Sequence, residues 1–312
     1  MSDMTRLRQF VDDGASESAR TLALNLLHKS RKREVIEAAL RALENIELGD
    51  SARPILREKI TYYMDDPGND KTLFVREKIA RFLTDIGSPN DMDIYRRGVN
   101  TYEIQPLLGE VAHNFRAVSL VGLGIANQDE GSLYATKFLS EIDSTSVFNG
   151  EPAVTAVNLL FRQNKILPIY QYLLMGGLDA LEVGQNEVVG KALESLGENF
   201  PVELFRPLTE LFVPRDRAVV NMGIISHILE HKVEPLYPVV EQIITETRHD
   251  DLHHYGVVML AASRDSGLIA RLYALAKIAP KHRIENFVEA VELTPGEEKD
   301  ALLNFLKRKQ RG

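Results

Sequence analysis

The sequence predicts an all-α protein, an α-solenoid of about seven to eight stacked helical hairpins. Three observations point there. The segment Val75-Arg76-Glu77-Lys78-Ile79-Ala80-Arg81-Phe82-Leu83-Thr84-Asp85-Ile86-Gly87 returns in looser form roughly every 30–40 residues; its nearest copy, Phe115-Arg116-Ala117-Val118-Ser119-Leu120-Val121-Gly122-Leu123, lies 40 residues further on. Nearly every stretch of 10–16 residues carries apolar side chains at the 3.6-residue helical period. The breaks fall at Gly, Pro, Asn and Asp, and no run alternates as a half-buried strand does.

The elements follow in order. Residues 6–13 read as a capping helix within an N-terminal cap over 1–15, and residues 16–28 and 31–46 as a first hairpin. In the second, residues 51–64 form a helix buried through Ile55, Leu56, Ile60 and Tyr63, and Asp65-Asp66-Pro67-Gly68-Asn69-Asp70 makes a dense turn. Residues 72–86 return as its partner, with Gly87 placed to end it in a left-handed cap. The third hairpin is the roughest, because Gly98, Pro106 and Gly109 break up its first helix before a second begins near 112. Then come pairs at 129–142 and 151–163, 165–175 and 186–199 (with a short connection over 178–185), 202–212 and 217–230, 235–247 and 252–263, and 266–278 and 282–293. Residues 296–312 read as a C-terminal helix ending in a frayed basic tail, Lys307-Arg308-Lys309-Gln310-Arg311. No Ser/Gly/Pro-rich linker interrupts the chain, so residues 1–312 are expected to form one elongated repeat domain.

Asp70 through Gly87 resembles a HEAT repeat: a turn aspartate, then Val75-Arg76, alanine, leucine and a terminal Ile86-Gly87. Phe115-Arg116 matches the same pattern, whereas the hairpins after residue 200 lack the Val-Arg pair, and Gly223 and Gly256 stand where the family tends to have a helix former. The resemblance implies a right-handed superhelix of HEAT or armadillo type. It also implies that Arg76 and Arg116 form a structural ladder, each reaching a turn aspartate of a neighbouring unit. Asp70 is the matching acid for that ladder, and no equivalent is evident for Arg116.

The 312 residues are 44% hydrophobic and 26% charged, ordinary for a soluble chain with a sizeable core. No apolar run approaches a membrane span, and the N-terminus lacks the apolar region of a secretory signal. There is no cysteine, which excludes disulfides, cysteine zinc sites and thiol catalysis, and no tryptophan. A cytoplasmic location is expected. The net charge of −8 lies wholly in the middle: residues 101–213 carry 14 acidic and 6 basic groups, while the flanking thirds balance at 17 against 17 and 14 against 14. Such a segment reads first as a well-solvated convex surface and otherwise as a docking surface for a basic partner, and it would repel nucleic acid.

Glu187, Lys191, Glu194 and Glu198 fall at helical spacing opposite Val188, Val189, Ala192, Leu193 and Leu196, forming one exposed stripe. The ordinary role of such a stripe is a solvated face with helix ion pairs; because second helices line the concave side in HEAT-like stacks, it is also the candidate partner-binding surface. Arg248-His249-Asp250-Asp251-Leu252-His253-His254 is the densest group of metal-ligand types, yet it sits where a helix N-terminus calls for Asp, so capping is the expected role. The basic run Lys29-Ser30-Arg31-Lys32-Arg33 stands at a helix–helix turn with no second basic stripe. Gly122-Leu123-Gly124 is a packing feature, since no strand precedes it. No catalytic residue, metal or cofactor is predicted.

The expected function is therefore that of a non-enzymatic scaffold or adaptor, binding another protein along its curved surface. Related architectures also include bilin-attachment lyases and alkylpurine DNA glycosylases. The acidic middle and the lack of tryptophan speak against the glycosylase; the lyase has no matching site here and stays the alternative, because such proteins are recognised by their repeats and not by a motif.

Overall fold

The computed structural model describes residues 3–14, 16–296 and 298–311. Among them the chain is all-helical apart from one two-stranded hairpin. It divides into two compact units, Met1–Ser146 with Glu151–Gln163, and Val147–Gly150 with Asn164–Gly312.

The first unit holds α1 (Asp3–Asp12), α2 (Ser16–Lys29), α3 (Arg33–Leu43), α4 (Arg53–Asp65), α5 (Phe74–Ile86), α6 (Met92–Val99), α7 (His113–Ala126), α8 (Gln128–Leu139) and α9 (Ala153–Arg162). Consecutive helices pair as hairpins, α2 with α3, α4 with α5, α6 with α7 and α8 with α9. First helices also touch first helices (α2, α4, α6), and second helices touch second helices (α3, α5, α7, α9). Each hairpin thus buries one stripe against its partner and another against its neighbours, the arrangement amphipathic helices need. On α4 that stripe is Leu56, Ile60 and Tyr63, all buried, with Ile55 half-buried at its margin. Gly87 closes α5 at φ +70°, its N–H donating to Leu83 O at 3.0 Å. That left-handed turn would cost a side chain about 1 kcal/mol.

Two expectations change in this unit. The third hairpin's broken first helix stops at Val99, and the chain continues into β1 (Ile104–Gln105) and β2 (Gly109–Glu110), paired antiparallel. Strands of two residues are too short to show alternation in a sequence. The N-terminal helix is α1, one turn earlier than expected, packed on α2 and α3; residues 1, 2 and 15 of the expected cap lie outside the described residues.

The second unit holds α10 (Ile166–Met175), α11 (Gly177–Glu182), α12 (Asn186–Glu194), α13 (Val202–Phe212), α14 (Ala218–Glu230), α15 (Tyr237–Glu246), α16 (Asp250–Ala262), α17 (Ser266–Ile278), α18 (Ile284–Glu292) and α19 (Glu298–Arg311). The pattern of hairpins recurs, and the second helices α12, α14, α16 and α18 contact one another in series. The connection over 178–185 contains a short helix, α11. The C-terminal basic run is not a frayed end but the last turns of α19, where Arg308, Lys309 and Arg311 face the negative end of the helix dipole. Residues 297 and 312 of that expected segment lie outside the described residues.

Helix α14 is buried almost all round, from Val220 to Leu229 except Met222. Gly223 explains how it fits. A Cβ there would strike the backbone of Gly190, and one on Gly190 would strike Val219, so α12 and α14 meet backbone to backbone. The glycines at this crossing replace helix formers because nothing larger lets the two helices touch.

Candidate functional site

Two constellations stand out, a buried arginine ladder in the first unit and a polar surface on the second helices of the second unit. The ladder begins in the dense turn before α5. Asp70 is fully buried and accepts hydrogen bonds from the backbone N–H of Val75 and Arg76 at 3.3 and 3.0 Å. It also accepts from Arg76 Nε at 3.3 Å, while Arg76 Nη2 donates to the Asp70 carbonyl at 3.0 Å. Burial pushes the Asp70 carboxyl up, only partly offset by these donors and by the Arg76 charge. The rest of the Arg76 guanidinium crosses to Glu103, in the connection of the next hairpin, with Nη2 to Oε2 at 3.1 Å and a second bond from Nη1 to Oε1.

Arg116 repeats the plan one hairpin later. It is fully buried and bonds Glu110, six residues before it, at 3.1 Å, as Arg76 bonds Asp70 six residues before it. It also reaches Glu141 in the following connection at 3.3 Å and donates to Ser144 O. The guanidinium lies over Tyr102 at 4.4 Å and Phe138 at 5.3 Å. Burial would raise the Glu110 carboxyl, but His113, the Ala112 N–H and Arg116 outweigh it and hold the group below the usual carboxylate range. The ladder therefore differs from the expected one. Each arginine binds an acid of its own hairpin and a second acid of the next. Glu110 is the equivalent of Asp70 that the sequence leaves open. With two carboxylates the Arg76 guanidinium is used on both edges, whereas Arg116 is held through Nη1 and Nη2 while its Nε is buried without a partner among the described residues.

Glu103, Glu110 and Glu141 were not legible as members, because they sit in connections of unequal length. The available signal was the arginine's place at the start of a second helix. That signal also finds Arg283, directly before α18, which donates to Asp250 and to Thr247 O.

On the second unit, Glu187 is exposed at the start of α12, and Lys191 and Glu194 are half-buried and paired at 2.8 Å. Val188, Val189, Ala192, Leu193 and Leu196 are buried opposite them. Glu198 is exposed but lies beyond the end of α12, so it does not continue the helical stripe. The helix stops because Ser195 and Leu196 turn inward ahead of Gly197, whose φ is +86°. Neighbouring helices extend the surface instead. Ser226 on α14 and Tyr255 on α16 share a hydrogen bond at 2.6 Å, and burial followed by the Glu230 and Glu194 charges pushes the Tyr255 phenol up.

The histidine-rich turn disperses. His249 Nε2 lies 2.7 Å from Asp216 O, His253 is buried against Asn286 and Phe287, and His254 faces Glu289 at 3.6 Å. Asp250 and Asp251 occupy the first turn of α16, where their charge suits the helix dipole, but the N-cap position falls to His249 and no side chain caps the helix. Among the described residues no group of three or more His, Asp or Glu side chains is arranged to hold a metal ion. In the basic run, Arg33 pairs with Glu37 at 2.6 Å and donates to Thr72 at 2.8 Å, while Lys29, Arg31 and Lys32 remain exposed. No helix among the described residues is long and apolar enough to cross a membrane.

Comparison with protein-family models, with curated proteins and with solved structures returns no match.

Proposed function

We propose that the chain is a HEAT-like α-solenoid whose hairpins form one right-handed repeat series, and that it serves as a non-enzymatic cytoplasmic scaffold. It binds another protein along the outer face of its second helices, and a basic partner at the acidic repeats. The observation that carries this reading is the charge left available on that face. Glu187 is exposed and carries no ion pair among the described residues, and the nearby base, Lys191, is already committed to Glu194. Tyr255 and Glu230 adjoin these groups and give the surface a partly apolar centre beside its acids. A partner with cations around an aromatic or aliphatic anchor suits such a surface. The ladder of Arg76 and Arg116 supports the repeat reading, since it ties each hairpin to the next.

The test is affinity purification from the native cell at low salt, with mass spectrometry and an absorbance scan. A stoichiometric protein partner, lost as salt is raised and absent with Glu187→Lys, Glu194→Lys and Glu198→Lys combined, is the expected result. Binding unchanged by the reversal overturns the surface, and a chromophore or nucleic acid in place of a protein partner overturns the scaffold.

A further inference from the structure

Arg283 occupies the ladder position of the second unit but is supplied differently. It is 7% exposed, with Nη2 donating to Thr247 O at 3.1 Å and Nη1 to Asp250. Arg76 and Arg116 each hold two carboxylates, one of them six residues earlier. Six residues before Arg283 stands Lys277, and Asp250 is its one carboxylate among the described residues. That Asp250 side chain is 84% exposed, so water competes for it. A guanidinium has five N–H donors, and these two bonds leave donors to spare.

A cavity of about 300 Å³ lies against this arginine, walled by Ile244, Leu275, Ala279 and Phe287 together with His253 and Arg283. His253 is 3% exposed. Asn286 Nδ2 lies 3.0 Å from His253 Nδ1 and donates to it, which leaves the ring proton on Nε2. That Nε2–H has no partner among the described residues. Burial, followed by the Arg283 charge, lowers the imidazole pKa to about 4, so the ring is neutral near pH 7. No acidic side chain among the described residues lines the cavity. Two buried donors, an apolar wall and a volume at the lower end of small-molecule pockets define a site for an anionic head on a short apolar body.

We infer that this cavity binds a short aliphatic carboxylate, whose two oxygens take on Arg283 the place that the own-hairpin acid takes on Arg76 and Arg116. His253 Nε2–H supplies a further donor, and the aliphatic body lies against Ile244, Leu275 and Phe287. The same chemistry is offered by a free branched acid and by the terminal leucine of a polypeptide, and the two are separable by experiment. The inference is independent of the acidic face of α12 and stands or falls without it.

The experiment is a ¹H–¹⁵N NMR titration of the full chain with 4-methylpentanoate, its amide, acetyl-Ala-Ala-Leu and that peptide's C-terminal amide. Saturable shifts at Thr247, His253 and the Arg283 side chain are expected with an acid, and binding at least about tenfold weaker with the matched amide. Tighter binding of the tripeptide identifies a chain terminus as the ligand; tighter binding of 4-methylpentanoate identifies a free acid. Thr245 lines the cavity and is exposed, so Thr245→Phe obstructs the site without disturbing the buried donors and should abolish the shifts. No saturable shift up to about 10 mM of either acid, equal binding of acid and amide, or full binding by Thr245→Phe overturns the proposal.

Discussion

Arg116 in the first unit and Arg283 in the second do the same structural task with different resources. Arg116 is fully buried between Glu110 and Glu141, two carboxylates largely screened from water. Arg283 is nearly as buried but has one carboxylate, on a side chain open to solvent, and a cavity beside it. The first arrangement is structural: Nη1 and Nη2 are both taken by acceptors of the fold, and only Nε is left buried without one. The second holds its turn together and still has donors to offer. A buried cation held between two carboxylates belongs to the scaffold, whereas one with a single exposed carboxylate beside a cavity can also recognise a ligand.

The largest test of this contrast is truncation of the two arginines. Arg116→Ala removes the buried cation that Glu110 and Glu141 share, leaving them only His113 and Lys137, and should cost about 3–5 kcal/mol in urea unfolding. Arg283→Ala exposes no buried carboxylate and should cost about 1–2 kcal/mol, chiefly a lost hydrogen bond and the packing of its stem. Equal losses would show that the two rungs are equivalent.

Acid should separate the units next. His227 is 1% exposed and stacks on Phe205 at 4.1 Å; burial, then the nearby His231, lowers its pKa from 6.5 to about 4. The unfolded chain therefore takes up a proton that the folded chain refuses, and stability falls as pH drops from about 6.5 toward 4, by up to about 3 kcal/mol. In the first unit Glu110 has a depressed folded pKa, so its contribution persists above the ordinary carboxylate value and is lost only as pH falls through that lower folded value. Asp70, with a raised pKa, runs the other way and gains on protonation. Hydrogen exchange should thus show the second unit losing protection first on acidification, and His227→Phe should remove only part of that difference, since His253 is lowered to about 4 as well.

Packing offers a smaller contrast. Gly223→Ala forces α12 and α14 apart and should cost about 1–3 kcal/mol, read as a lowered melting temperature. The smallest effect runs in the opposite direction. Leu107 sits at φ +71° in the turn that Leu108 N–H closes onto Gln105 O at 3.2 Å, and its side chain is fully exposed. Leu107→Gly relieves that backbone without losing packing and should stabilise the first unit by up to about 1 kcal/mol.

Much of this organisation was legible in the sequence, for local reasons. Gly87 announces its own cap, and Leu56, Ile60 and Tyr63 show their face by period alone. Arg76 and Asp70 share one turn and one motif. What stayed hidden depends on residues brought together from distant turns. Glu103 and Glu141 meet their arginines across 27 and 25 residues, and the cavity beside Arg283 gathers Ile244 and Phe287 from different hairpins. The end of α12 at Glu194 was missed because apolar spacing continues through Leu196, and only the backbone of Gly197 reveals the break.

The most direct test of the contrast is the solvent exchange of the arginine side-chain Nε–H protons in ¹⁵N NMR spectra of the intact chain. Arg76, whose Nε donates to Asp70, should exchange slowly, Arg283 markedly faster, and Arg283 should slow toward Arg76 once 4-methylpentanoate is added. Exchange at Arg283 as slow as at Arg76 without any added acid would contradict the account, because it would mean that the second unit already satisfies its arginine.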